Sequence, residues 1–113
     1  MPRAKKTAPE PIIATLPAEA EMPVETMVAI AVAALEDIKG KDITVIDVSP
    51  LTSLFDRMII ASGDSTRQVK SLADNVQVKL KEAGADIIGS EGAEVGEWVL
   101  VDAGSVVVHV MHP

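Results

Sequence analysis

Apolar residues recur along this chain at two periods, and the switch from one to the other marks the elements. Between Val24 and Lys39 the positions Met27, Ile30, Ala31, Ala34, Leu35 and Ile38 fall three and four apart, which predicts an α-helix with one apolar face. Gly40 is placed to stop it as the C′ residue. Asp42 to Ser49 reads Asp-Ile-Thr-Val-Ile-Asp-Val-Ser, short and β-branched, and Pro50 ends what is predicted as a strand. Arg57 to Ala61 predicts a second strand, whose near-continuous apolar run points to burial on both faces. Over Ser65 to Ala83 one stripe carries Val69, Leu72, Val76, Leu80 and Ala83 and the other carries Lys70, Asp74, Gln77 and Lys81, the clearest helix of the chain. Ser65 and Gln68 stand at capping-box spacing, and Gly84 ends the helix. Ile87 and Ile88 predict a short strand, followed by a Gly- and Glu-rich loop from Gly89 to Gly96. Trp98 to Asp102 and Val106 to Met111 predict a closing antiparallel hairpin with Gly104 in its turn. The order α-β-β-α-β-β-β implies an α/β (α+β) domain in which two helices cover one mixed, mostly five-stranded sheet.

Met1 to Pro23 breaks this regularity. Pro2, Pro9, Pro11, Pro17 and Pro23 alternate with small and charged residues, a composition that buries too little apolar surface to order itself. We therefore expect residues 1–23 to be a flexible N-terminal tail and residues 24–113 to be a single domain. Arg3, Lys5 and Lys6 are not followed by the apolar stretch of a signal peptide. The longest uncharged apolar run, Thr26 to Leu35, falls well short of the roughly 20 residues of a membrane span. With no Cys, the chain has no disulfide, thiolate metal site or thiol nucleophile, and a cytoplasmic setting is expected.

Charge narrows the partners. Of the 113 residues, ten are Lys or Arg and seventeen are Asp or Glu, for a net charge of −7. The tail is balanced, so all of that charge sits on residues 24–113. Broad phosphate binding needs clustered cations, and base stacking needs more aromatics than Phe55 and Trp98, so little direct nucleic-acid binding is expected.

Candidate catalytic chemistry finds weak support. Ser62-Gly63-Asp64-Ser65-Thr66-Arg67 joins a strand to a helix, where free amides and Arg67 favour a phosphate, but capping alone accounts for each residue and Asp64 opposes an anion. Asp42, Asp47 and Asp56 are the candidates for Mg²⁺-dependent nucleotidyl transfer, yet Asp42 and Asp47 are five apart and diverge on a regular strand. His109 and His112 diverge for the same reason, and neither Ser62 nor Ser65 stands in a nucleophile-elbow frame. No catalytic residue, metal site or cofactor site is assigned. A small Mg-dependent nucleotidyltransferase-like or phosphate-binding enzyme using Asp47, Asp64 and Arg67 is the alternative reading.

What remains is a surface. Glu91, Glu94 and Glu97 lead directly into Trp98, the only Trp, on a strand where Trp98, Leu100 and Asp102 share one side and Val99 and Val101 the other. If the valines face the helices, an apolar centre with an acidic rim faces outward, as in a binding hot spot. The pattern alone leaves Trp98 open between that role and the core.

Several stretches taken together resemble the ribosomal silencing factor family (RsfS, or Iojap-like proteins). They are Leu35-Glu36-Asp37-Ile38-Lys39-Gly40-Lys41-Asp42-Ile43, Ile60 to Val69 with its Ala-Ser-Gly-Asp-Ser-Thr-Arg-Gln core, and Ala73-Asp74-Asn75-Val76. Gly89-Ser90-Glu91-Gly92, Glu97 to Gly104 and Val107 to Pro113 continue the match in order. Val24 to Pro113 is covered and the tail is not. The resemblance implies a nucleotidyltransferase-like fold without the catalytic carboxylates, and no enzyme. It implies binding to the large ribosomal subunit through ribosomal protein L fourteen, which blocks subunit joining and lowers translation when nutrients are scarce. It also implies a partner surface at Trp98 with Leu100 beside it. Glu91, Glu97 and Asp102 match adjacent positions, and their charge makes them expected contacts. Members usually continue past this His-Pro with a short helix rich in Tyr, Leu and Trp, whereas this chain stops at Pro113, and the free protein is a candidate homodimer.

Overall fold

Helix ends are where sequence signals become geometry, and two of them set the relation between the helices. The computed structural model describes residues 22–113. The stretch from Met1 to Glu21, most of the expected tail, lies outside the described residues, while Met22 packs against the core and the Pro23 carbonyl accepts the Met27 amide. Helix α1 spans Val24–Asp37 and helix α2 spans Thr66–Glu82. At the N-terminus of α2 the Ser65 side chain accepts the Gln68 amide at 3.1 Å, as expected of a cap. Gln68 departs from the standard box: its Oε1 accepts the amide of Asp64 rather than of Ser65, and its Nε2 donates to the carbonyls of Ile38 and Lys39 at 3.0 and 3.2 Å. One side chain thus joins the start of α2 to the end of α1.

Gly40 also differs from expectation. The left-handed residue that ends α1 is Lys39, with φ 62°, and the Lys39 and Gly40 amides donate to the carbonyls of Glu36 and Leu35. Gly40 is small for a packing reason, because a Cβ there would sit 3.0 Å from the Leu35 carbonyl and 3.1 Å from Leu72 Cδ2. Gly84, at φ 102°, ends α2 as predicted.

The strands are β1 (Lys41–Asp47), β2 (Arg57–Ser62), β3 (Gly89–Glu91), β4 (Trp98–Asp102) and β5 (Val106–Met111). They form one sheet in the order β1-β2-β5-β4-β3, antiparallel except for the β2–β5 pair. Among the described residues, two helices and a five-stranded mixed sheet make this the expected α+β fold. The third strand is displaced from its predicted place. Ile87 and Ile88 precede it, with only the Ile88 amide reaching the Asp102 carbonyl, and Gly89–Glu91 forms the ladder with β4. Apolar character misled here, because at this edge β4 supplies the pairing whatever the side chains are.

Both helices lie on one face of the sheet, α1 over β1, β2 and β5 and α2 over β4 and β5. Leu35, Leu72, Leu80, Val69 and Val76 pack there on Ile59, Ala61, Val99, Val101, Val106, Val108 and Val110, all fully buried. The expectation that β2 is buried on both faces therefore fails. Ile59 and Ala61 are buried under the helices, and Met58 and Ile60 are half-buried on the uncovered face. Arg57 fixes one end of this arrangement, reaching Glu25 of α1 at 3.1 Å and Asp47 of β1 at 3.2 Å.

Candidate interaction surface

The face opposite the helices follows from strand alternation and register. Leu100 pairs with His109 and Trp98 with Met111 across β4 and β5, while Ile60 pairs with His109 and Met58 with Val107 across β2 and β5. Ile46 of β1 extends the face beside Met58, and Glu91 of β3 bounds it beside Leu100. The result is an apolar floor across four strands with a carboxylate at one edge.

Trp98 is the most open part of that floor. Val99 and Val101 are fully buried under α2, which puts Trp98 on the uncovered side with 58% of its surface exposed. Its indole N–H donates to His109 Nδ1 at 3.0 Å, and the two rings meet at 5.7 Å between centroids with a 45° tilt. Burial among apolar neighbours holds the His109 imidazole below its usual pKa.

The loop before β4 is shaped for this. Gly92 has φ 87°, and a Cβ there would collide with the Trp98 carbonyl. Only glycine lets the loop close onto the backbone that presents the indole. Glu97 is exposed just ahead of Trp98, and its carbonyl accepts the His112 amide at 2.8 Å. Asp102 is half-buried at the far end of β4, with Oδ1 accepting the Gly104 amide at 2.9 Å in the hairpin turn.

The candidate chemical groups are placed elsewhere. Asp47 accepts from the Ser49 hydroxyl at 2.7 Å and from Arg57, and the Ser49 hydrogen bonds hold its carboxyl below the usual range. Asp64 pairs with Lys41 at 2.9 Å, and its carbonyl lies 3.1 Å from His112 Nε2. Among the described residues no group of three or more His, Asp and Glu is placed to hold a metal ion. Among the same residues no helix is long and apolar enough to cross a membrane.

Residues 21–113 match the family model described as ribosomal silencing factor during starvation. The chain belongs to the ribosomal silencing factor family. A ribosomal silencing factor from Chromobacterium violaceum is 70% identical over 92 residues, covering 81% of this chain and 75% of that protein. A crystal structure of a protein from the same organism superposes with a TM-score of 0.80 at 70% identity, covering 81% of this chain and 77% of the other. A second, from Bacillus halodurans, superposes with a TM-score of 0.74 at 33% identity, covering 78% of this chain and 82% of the other. Membership makes this silencing factor a ribosome-associated repressor of translation.

Of the residues the sequence singles out, Trp98, Leu100 and Asp102 share one side of β4, Glu91 of β3 stands opposite Leu100, and Glu97 is exposed just ahead of β4. The sequence pattern did not single out His109, which accepts from the Trp98 indole, or Ile46, Met58, Ile60 and Met111 on the same face. A three-residue turn at Ala103–Ser105 would set Leu100 opposite Val108; instead the Ala103 amide closes on the Val106 carbonyl, Gly104 and Ser105 make the turn, and Leu100 falls opposite His109 with Trp98 on the adjoining diagonal.

Proposed function

We propose that this silencing factor binds the large ribosomal subunit through ribosomal protein L fourteen and, by occupying that site, blocks joining of the small subunit. The observation that carries this reading is the uncovered apolar face with Trp98 at its most exposed point, on a domain that holds the whole net charge of −7. An RNA-rich particle repels such a domain everywhere except at exposed basic protein, so charge selects the landing site and speeds encounter. Trp98 and Leu100 then supply the apolar contact that slows departure, with Glu91, Glu97 and Asp102 meeting cations around it. The action is steric occlusion, with no bond made or broken and no cofactor.

Sedimentation of the full chain with separated subunits tests this. Co-sedimentation with large subunits, none with small subunits, and a reduced yield of joined ribosomes are expected. Equal sedimentation with both subunits, or with protein-free ribosomal RNA, would overturn it.

A further inference from the structure

His109 lies where the docking surface would be desolvated, and its chemistry is fixed by its neighbour. An indole N–H only donates, so His109 Nδ1, 3.0 Å away, must present a lone pair. The imidazole is therefore neutral and carries its proton on Nε2. An imidazolium has a hydrogen on both nitrogens, and its Nδ1–H would face the indole N–H with no acceptor between them.

We propose that His109 is the positioning residue of this surface: its neutral Nδ1 holds the Trp98 indole in the docking orientation, and protonation releases the ring and places a cation where a basic partner must land. This rests on the reading of the face as the docking surface. The surroundings favour such a device. Across from His109 stand Leu100 on β4 and Ile60 on β2, with Val107 and Met111 on its own strand. Among the described residues of the neighbouring strands, the charged groups on this side are Asp102 on β4, whose carboxylate is turned to the Gly104 amide, and Glu91 on β3, opposite Leu100. From β2 come Met58, Ile60 and Ser62, and both helices are on the other side of the sheet. Among the described residues no carboxylate hydrogen bond holds His109 in its charged form, and burial opposes that form.

The closing experiment reads the pair first without a partner. Trp98 is the only Trp, so its emission reports the contact in the free protein. Between about pH 8 and pH 5 a single step in emission is expected, matching the titration of the His109 ring protons by NMR. His109→Asn keeps a neutral acceptor near Nδ1 and should abolish the step. His112→Gln, exposed just past the end of β5, should leave it intact. With large subunits, wild-type affinity should fall a few-fold from about pH 7.5 to about pH 5.5, short of the roughly tenfold an unshifted imidazole would give because burial lowers the His109 pKa, while H109N should hold constant. His109→Phe, folded but without the acceptor, should bind weakly at both. An emission step that survives in H109N, or H109F binding as tightly as wild type, overturns the proposal. Wild-type sedimentation that weakens equally in H109N overturns it too while leaving the docking reading intact. No sedimentation at any pH overturns both.

Discussion

Replacing Trp98 by Ala separates the two jobs a solitary Trp can do, because the structure divides its surface between them. With 58% exposed, the part already covered is about 100 Å² of a roughly 250 Å² side chain, or about 2.5 kcal/mol at ~25 cal/mol/Å². That is an upper bound on what Trp98→Ala removes from folding, since a compact unfolded chain covers some of the same surface and Ala retains a little. The hydrogen bond to His109 is lost as well, but it lies at the surface and adds about 1 kcal/mol or less. A domain with a typical ~5–15 kcal/mol of stability remains folded. On docking, the remaining ~150 Å² would be desolvated, about 3.5 kcal/mol by the same coefficient, which is roughly a 300-fold rise in Kd. Circular dichroism melting of W98A, paired with sedimentation against large subunits, reads both quantities. A folded W98A that still binds within a few-fold of wild type would refute the anchor role, and an unfolded W98A would show that the covered part carries more than its area implies.

Leu72 is fully buried where α2 meets the end of α1 beside Gly40, so Leu72→Ala should cost about 2–5 kcal/mol in urea unfolding without altering docking per folded molecule. Asp47, held below its usual pKa by Ser49, contributes stability that is present above the unfolded value and is lost as pH falls through the lower folded one. Ser49→Ala should therefore raise the Asp47 midpoint in a carboxyl NMR titration and flatten the acid limb of the stability curve. Addition of a nucleoside triphosphate with Mg²⁺ should leave the melting temperature unchanged, whereas an upward shift growing with ligand concentration would revive the enzyme reading through Asp47, Asp64 and Arg67.

The helices are legible in the sequence because their apolar stripes are long and end at strong local signals, Ser65 at one end of α2 and Gly84 at the other. Such signals act within a few residues and need no tertiary partner. Elements decided by non-local pairing are harder. Gly89–Glu91 has none of the composition of a strand and becomes one because β4 offers its edge, while Ile87 and Ile88, which do have it, stay outside the ladder. The end of α1 shows the same limit in reverse. Gly40 looks like a C′ residue, yet it is small because Leu72 of a distant helix presses against it, and Lys39 takes the left-handed conformation. Trp98 stayed undecided for a related reason, since alternation divides β4 into two faces but only the placement of both helices on the Val99–Val101 side tells which face is open.

That placement also gives the acidic charge a second purpose. Two helices cover one face of a five-stranded sheet, and the other is left with Ile46, Met58, Ile60, Leu100, Met111 and Trp98, flanked by the exposed edge strand β1. A surface of this kind invites self-association through both its apolar side and its free edge. Seven net negative charges on about ninety residues oppose the approach of a second copy, and in the docking proposed above the same charge would favour a basic partner on the open face. Raising salt weakens both effects together by screening: it should promote self-association of the free protein under the same conditions in which it slows docking to the large subunit. Sedimentation velocity of the free chain and association kinetics with large subunits, followed over one salt series, would show whether the two trends are linked. An association rate that stays flat while self-association rises would mean that the acidic charge guards the face without steering it.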